Sequence, residues 1–286
     1  MDLQRYFLEL TYKGTGFSGF QTQKNAHTIQ AEVERVLNIL LESQVSRSAG
    51  AAMLVEDDEN KTSRRASPDI PASGLGIDNR VMLTGSSRTD TGVHALQNYF
   101  HFDWPGEFKP EWVYNLNALL PAGIAVCEVQ KVHRGAHCRF DAVSRTYRYR
   151  VYRSKNPFLT DTAYFYPYPL DLEQMNKASE LLSGYADFTS FSKRKTQVRN
   201  FRCNIMDSHW REEGPLLIYE VTANRFLRGM VRGLTATMLR VGRGRISVDD
   251  LRGIIEARDC TRAWFDTPPH GLFLMEVAYG DGYFGR

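Results

Sequence analysis

The sequence predicts an α+β fold made of two similar halves, each a mainly antiparallel sheet with helices on one face. Three observations predict it. Hairpin-sized links join several strand-like runs, which argues against a doubly wound parallel sheet. A strand, a loop and an amphipathic helix follow one another at residues 8–41 and again at 218–239, as one unit used twice. The 286 residues are 42% apolar and 24% charged, ordinary globular usage with ample chain for a core, so disorder and collagen-like repeats are excluded.

The chain opens with a strand at 5–12, in which Phe7, Leu8 and Leu10 are apolar, followed by a glycine-punctuated loop from Gly14 to Gly19. Ile29, Val33, Val36, Leu37, Leu40 and Leu41 then recur on one helical face, with Thr28 as the N-cap. Residues 44–80 contain no Phe, Tyr or Trp and carry an acidic run at 56–59, so most of them read as a flexible surface insertion that interrupts a domain. Strand patterns resume at 81–83 and 97–102 around the loop 86–94. Pro110 opens a helix to about 119, because its missing N–H and fixed φ suit a first turn. Strands follow at 124–132 and 144–152, the second with Arg145, Tyr147, Tyr149 and Val151 on one face. A helix at 171–182 stops at Gly184, and strands lie at 199–210 and 216–223. A helix at 226–240 presents Leu227, Met230, Val231, Leu234 and Met238, Ser247 caps the last helix, and 272–279 closes as a strand. The halves divide as 1–140 and 141–286.

The net charge of +3 names no partner, but it hides a segregation. Residues 131–245 hold 21 Lys and Arg against 10 Asp and Glu, while the rest holds 15 against 23. Such a block is either a footprint for a polyanion, RNA or DNA first, or a solvated basic face. No run approaches the roughly 18 apolar residues of a membrane span, and the first residues lack a secretory signal pattern. Four cysteines without a CxxC pair fit neither a disulfide framework nor a zinc knuckle, so a cytoplasmic setting is expected.

The most distinctive octet is Arg88-Thr89-Asp90-Thr91-Gly92-Val93-His94-Ala95. A carboxylate in a tight glycine turn is either presented rigidly outward or spent capping its own amides. Asp90-Thr91-Gly92 also matches aspartic proteases, but that chemistry needs two carboxylates sharing a proton and no second copy occurs. Arg225, Arg228 and Arg232 form one stripe at helical spacing, a phosphate-binding or merely solvated edge. Arg145, Arg148 and Arg150, interleaved with Tyr147, Tyr149 and Tyr152, read as a nucleic-acid surface or as an amphipathic strand with tyrosines in the core. Lys193-Arg194-Lys195 is a further phosphate candidate or a soluble loop tip. His133, His137 and Cys138 lack an acidic third ligand, and no Walker loop occurs, so neither metal nor cofactor is expected.

Taken together, these segments resemble the tRNA pseudouridine synthase A family nearly end to end. The octet is similar to that family's Arg-Thr-Asp-Ala-Gly-Val-His-Ala signature. In the family's order follow Asn117-Ala118-Leu119-Leu120-Pro121, His137-Cys138-Arg139-Phe140, Ser144-Arg145-Thr146-Tyr147-Arg148-Tyr149, Asp187-Phe188-Thr189-Ser190-Phe191 and Phe226-Leu227-Arg228-Gly229-Met230-Val231-Arg232. The chain departs from the pattern at Ser87 and Thr91, in the early Tyr12-Lys13-Gly14 and Gly19-Phe20-Gln21 segments, and by the insertion at 44–80.

The resemblance implies a pseudouridine synthase fold, its two halves joined around a central cleft, and isomerisation of uridine to pseudouridine in the tRNA anticodon stem-loop, nucleotides 38 to 40, by a homodimer. It implies that Asp90 is the catalytic aspartate, that Arg232 pairs with it and that Tyr147 stacks on the uracil. Arg88 helps hold the nucleotide out of the stem, and Arg145 and Arg228 are further substrate-binding candidates. A catalytically silent tRNA-binding relative is the alternative. The residues agree with the first reading: a carboxylate in a closed cleft is costly without a cation against it, and Arg232 supplies one.

Overall fold

The computed structural model describes residues 3–55, 80–194 and 198–284. Its strands and helices run, in chain order, β1 (Leu3–Tyr12), α1 (Ile29–Val55), β2 (Thr84–Gly85), β3 (His94–Pro105), α2 (Trp112–Leu119), β4 (Ile124–Lys131), β5 (Ala142–Tyr152), β6 (Tyr164–Phe165), α3 (Leu172–Leu181), β7 (Ile205–Glu213), β8 (Leu216–Ala223), α4 (Met230–Gly242), α5 (Val248–Glu256) and β9 (Leu272–Tyr279). Among the described residues no helix is long and apolar enough to cross a membrane.

One open, mostly antiparallel sheet runs through the molecule in the order β4-β1-β3-β9-β5-β8-β7, with β2 and β6 paired outside this path. The twofold pattern seen in the sequence has a counterpart in it. β1 is the middle strand of β4-β1-β3 and leads into α1; β8 is the middle strand of β5-β8-β7 and leads into α4. β9 is inserted between the two sets. It pairs antiparallel along β5, but touches β3 through a short parallel contact, His94 opposite Phe273 and Ala95 opposite Leu274. That contact begins four residues after Asp90, so the turn sits where the sets of strands meet.

Helices cover one face of the sheet. There Trp112 of α2 packs against Trp104, and the Trp210 indole N–H donates to the Met238 sulfur of α4 (3.4 Å). Tyr149, Tyr219, Phe100 and Leu8 are fully buried on this side, removing large apolar areas from water at about 25 cal/mol per Å². On the opposite face Glu9, Gln97, Thr146, Arg148, Glu220 and Thr222 line an open shallow concavity. Phe7 and Tyr99, also on that face, are covered by Tyr283 and Phe284 from the C-terminal turn.

Local signals hold at several ends. Thr28 Oγ1 accepts from the Ala31 amide (3.3 Å), and Ser247 with Asp250 forms a complete capping box. Several bounds differ from those expected: the strand expected at 81–83 lies at Thr84–Gly85, and that expected at 199–210 begins at Ile205. Residues 44–55, expected in a flexible insertion, continue α1 to Val55; a stretch poor in aromatics but holding Ala51, Ala52, Met53 and Leu54 still has high helix propensity. The rest of that expected insertion, 56–79, lies outside the described residues. The helix expected from 226 begins instead at Met230, because Gly229 takes a left-handed backbone (φ 73°) just ahead of it.

Candidate active site

The octet folds as a turn leaving β2 and entering β3. The Val93 amide donates to the Asp90 carbonyl (3.1 Å), closing the turn, and the Ser86 amide donates to the Tyr99 carbonyl (2.8 Å) at its base. The glycine loop after β1 backs onto this turn. The Phe20 amide donates to the Thr89 carbonyl (3.2 Å), and a Cβ on Gly19 would stand 3.3 Å from that same oxygen with φ at 97°. Gly19 therefore meets two demands that only glycine satisfies together. Gly14, Gly16 and Gly19 follow a strand and precede a helix, a spacing shared with dinucleotide-binding loops, but here Gly14 and Gly19 make room for the backbone of Val93 and Thr89.

Beneath the turn lies a buried polar network. The Tyr12 and Thr89 hydroxyls are 2.8 Å apart, and the Asn98 amide group donates to the Tyr12 oxygen (3.1 Å) and to the Ser87 carbonyl (2.9 Å). The Ser86 hydroxyl donates to Asn98 Oδ1 (2.7 Å). Burial drives the Tyr12 phenol far above its ordinary value, so it remains an O–H at any physiological pH. His94 clasps three segments. Its Nδ1 accepts from the Gly14 amide (3.1 Å), so Nε2 carries the proton, facing the carbonyls of Asp161 and His270, each at 3.1 Å. Burial, only partly opposed by these carbonyls, lowers the His94 pKa and favours this neutral tautomer.

The carboxylate itself is half-exposed, and one cation from the other end of the chain meets it. Arg232, in the first turn of α4, places Nη1 3.6 Å from Asp90 Oδ2. Its Nε donates to the Thr267 carbonyl (2.8 Å), while the Thr267 hydroxyl donates to the Arg232 carbonyl (2.9 Å). This reciprocal pair fixes the guanidinium before any ligand arrives.

Comparison with known proteins decides the family. Residues 178–280 match the family model described as tRNA pseudouridine synthase. The chain is 39% identical to the tRNA pseudouridine synthase A of Parabacteroides distasonis, over 99% of this chain and 98% of that protein. It is 38% identical to the protein of that name from Bacteroides fragilis, over 98% of each, and 35% identical to that of Bacillus subtilis, over 94% of this chain and 97% of that protein. The chain belongs to the tRNA pseudouridine synthase A family.

Of the residues that membership directs attention to, the structure brings Asp90 and Arg232 together directly. Tyr147 is 8% exposed and packs edge-on against Phe226 at 5.0 Å between centroids. Burial pushes its phenol up to about 12, with Asp90 adding to the shift and Arg145 opposing it, so the ring lies within the carboxylate's field. Arg88 and Arg228 are exposed beside this site.

Arg145 departs from its expected role as a substrate ligand. It is buried, and it donates to the carbonyls of Arg139 (2.7 Å), Asn224 (3.0 Å) and Ala142 (3.1 Å), so its guanidinium braces loops rather than reaching outward. The expected basic surface along β5 separates likewise. Arg148 pairs with Glu220 on the open face, and Arg150 stacks over Phe273 at 4.0 Å. Arg225 and Arg228 precede α4, so the expected helical stripe reduces to Arg232.

His133, His137 and Cys138 do not converge. His137 Nδ1 faces the amides of Arg139 and Phe140, while the Cys138 thiol, held up at about 12 by burial, donates to the Thr84 carbonyl. Asp207, His209 and Glu220 do lie within metal-ligand reach of one another, but Glu220 is already engaged by Arg148 and Arg211. Thr267, Tyr12, Asn98 and the His94 clasp were not found by sequence reasoning. His94 carried a signal in its place in the octet, and Tyr12 in the early Tyr12-Lys13-Gly14 segment.

Proposed function

We propose that this chain isomerises uridine to pseudouridine in tRNA, with Asp90 acting on the ribose and Arg232 holding its charge. The observation that carries this reading is the 3.6 Å approach of Arg232 to Asp90 across the meeting point of the two strand sets. The reaction breaks the C1′–N1 bond and forms C1′–C5; N1 gains a proton and C5 loses one, so atoms and electrons balance without a cofactor. Asp90 either attacks C1′ or takes a proton from C2′ to give a glycal, and both routes need its carboxylate ionised in a site closed by RNA.

Extruding a uridine from its stack costs on the order of a few kcal/mol. Stacking on Tyr147 returns ~1–3 kcal/mol of this, and Phe226 against its edge holds the ring's orientation. Arg88 and Arg228, both exposed, hold the extruded nucleotide in this reading. The substrate region is the anticodon stem-loop, nucleotides 38 to 40. The unit is a cytoplasmic homodimer, because one small cleft does not span a tRNA. The half 1–140 contributes the aspartate and 141–286 most of the basic charge.

The test is chemical labelling of pseudouridine in tRNA incubated with the pure protein, mapped to single nucleotides. Label at anticodon-arm uridines is the expected result. Bound but unlabelled tRNA would instead identify a silent RNA-binding protein.

A further inference from the structure

Lys193 carries a charge that the mechanism above does not use. It follows the short turn Thr189–Phe191, and its amide donates to the Arg228 carbonyl (3.0 Å), which ties this loop to the entry of α4. The lysine stem lies across Gly229. A Cβ at that position would stand 3.0 Å from Lys193 Cγ and 3.1 Å from Cδ and Cε. Glycine suits that position by its positive φ, and it leaves the stem room to lie close.

The ammonium head shares the neighbourhood of the candidate active site. Burial lowers the Lys193 pKa; Arg232 and Arg228 lower it further, and Asp90 opposes them. Through Arg228 and Gly229, Lys193 thus stands at the start of α4, whose Arg232 already takes the Asp90 carboxylate. Among the described residues no acidic group forms an ion pair with Lys193. A cation held against two others in a partly buried cleft is a cost to the free protein. An anion arriving with the ligand offsets it, and RNA brings one phosphate per nucleotide.

We propose that Lys193 is a substrate-binding residue of this site, its ammonium taking a phosphodiester that flanks the extruded uridine. A compact ammonium on a flexible stem suits a phosphate oxygen as a point charge, and Gly229 steers the stem into place. This rests on the reading of the chain as a uridine isomerase acting on RNA.

The experiment measures single-turnover pseudouridine formation on anticodon-arm RNA with full-length wild type, K193M and K193R, over a range of RNA and salt concentrations. If wild type forms no pseudouridine, the isomerase reading has failed, independently of Lys193. With wild type active, K193M should need about tenfold more RNA for half-saturation, a loss typical of one charged contact. Its slope of log affinity against log salt should shrink by about 1, one fewer phosphate neutralised. Its rate at saturating RNA should stay within about twofold of wild type, and K193R should restore most of the affinity. Unchanged affinity and slope in K193M would overturn the proposal. So would a fall in saturating rate as large as the loss of affinity, which would place the ammonium's effect on Asp90 instead. Equal urea midpoints for the three proteins separate these results from misfolding.

Discussion

Replacing Tyr12 with Phe removes one oxygen from the network under the Asp90 turn and leaves the ring in place. That oxygen sits 2.8 Å from the Thr89 hydroxyl and accepts from Asn98 at 3.1 Å. Asn98 keeps its bond to the Ser87 carbonyl, but Thr89, 8% exposed, is left with a buried hydroxyl facing a hydrocarbon edge. Two net hydrogen bonds at ~1 kcal/mol each give an expected loss of about 2 kcal/mol. Adding Thr89→Val removes the stranded hydroxyl, so the double variant should be less destabilised than the two single losses summed. Because Thr89 adjoins Asp90, a loosened turn should also lower the saturating rate of pseudouridine formation by roughly ten- to a hundredfold, with RNA affinity nearly intact. Urea unfolding and single-turnover kinetics on one preparation test both effects. A stability loss under about 0.5 kcal/mol together with unchanged turnover would refute the claim that this network holds the aspartate.

Much of this site was legible because its signals are local. The Asp90 turn was marked by its glycine, and β9 (272–279) was read to the residue because its run is apolar except at Glu276 and bounded by glycines. Arg232 could be paired with Asp90 only through family likeness, since 142 residues separate them and no spacing rule spans that distance. The Tyr12–Asn98–Thr89 network was illegible for the same reason: Tyr12 and Thr89 stand in separate marked segments, and only the register of β1 on β3 brings them together with Asn98. Arg145 was misleading in a different way. Alternation on β5 correctly put it on the face of Tyr147, but periodicity does not say whether that face meets solvent or the carbonyls of Arg139, Ala142 and Asn224. Where α1 ends was not legible either, because the stretch 44–55 lacks aromatics yet keeps helix propensity.

Other outcomes are expected. Tyr147→Phe should keep both stability and RNA binding, whereas Tyr147→Ala, which also empties a buried site against Phe226, should lose about 3 kcal/mol and the stacking contribution; equal RNA affinities in the two would remove the platform role. Arg145→Met strands three carbonyls and should lower stability by about 3 kcal/mol while leaving the salt dependence of RNA binding unchanged. A reduced salt slope at full stability would mean that it contacts phosphate after all. Burial foremost, with Arg5 adding, depresses the His101 pKa from 6.5 to about 4. The unfolded chain therefore takes up this proton first, and folding stability falls as the pH drops from 6.5 to about 4, by roughly 3 kcal/mol from this group. Unfolding measured from pH 7 to 4 should show that extra loss in wild type relative to His101→Asn, and parallel curves would contradict it.

The central claim is that one half-exposed carboxylate, held by Arg232, performs the chemistry while other groups hold the RNA. Asp90→Asn keeps the size and hydrogen-bonding reach of the side chain and removes its charge and basicity. Pseudouridine formation by this variant, measured at RNA concentrations that saturate it, should be undetectable while its affinity for anticodon-arm RNA stays within a few-fold of wild type. Turnover by Asp90→Asn at the wild-type rate would contradict the account at its root.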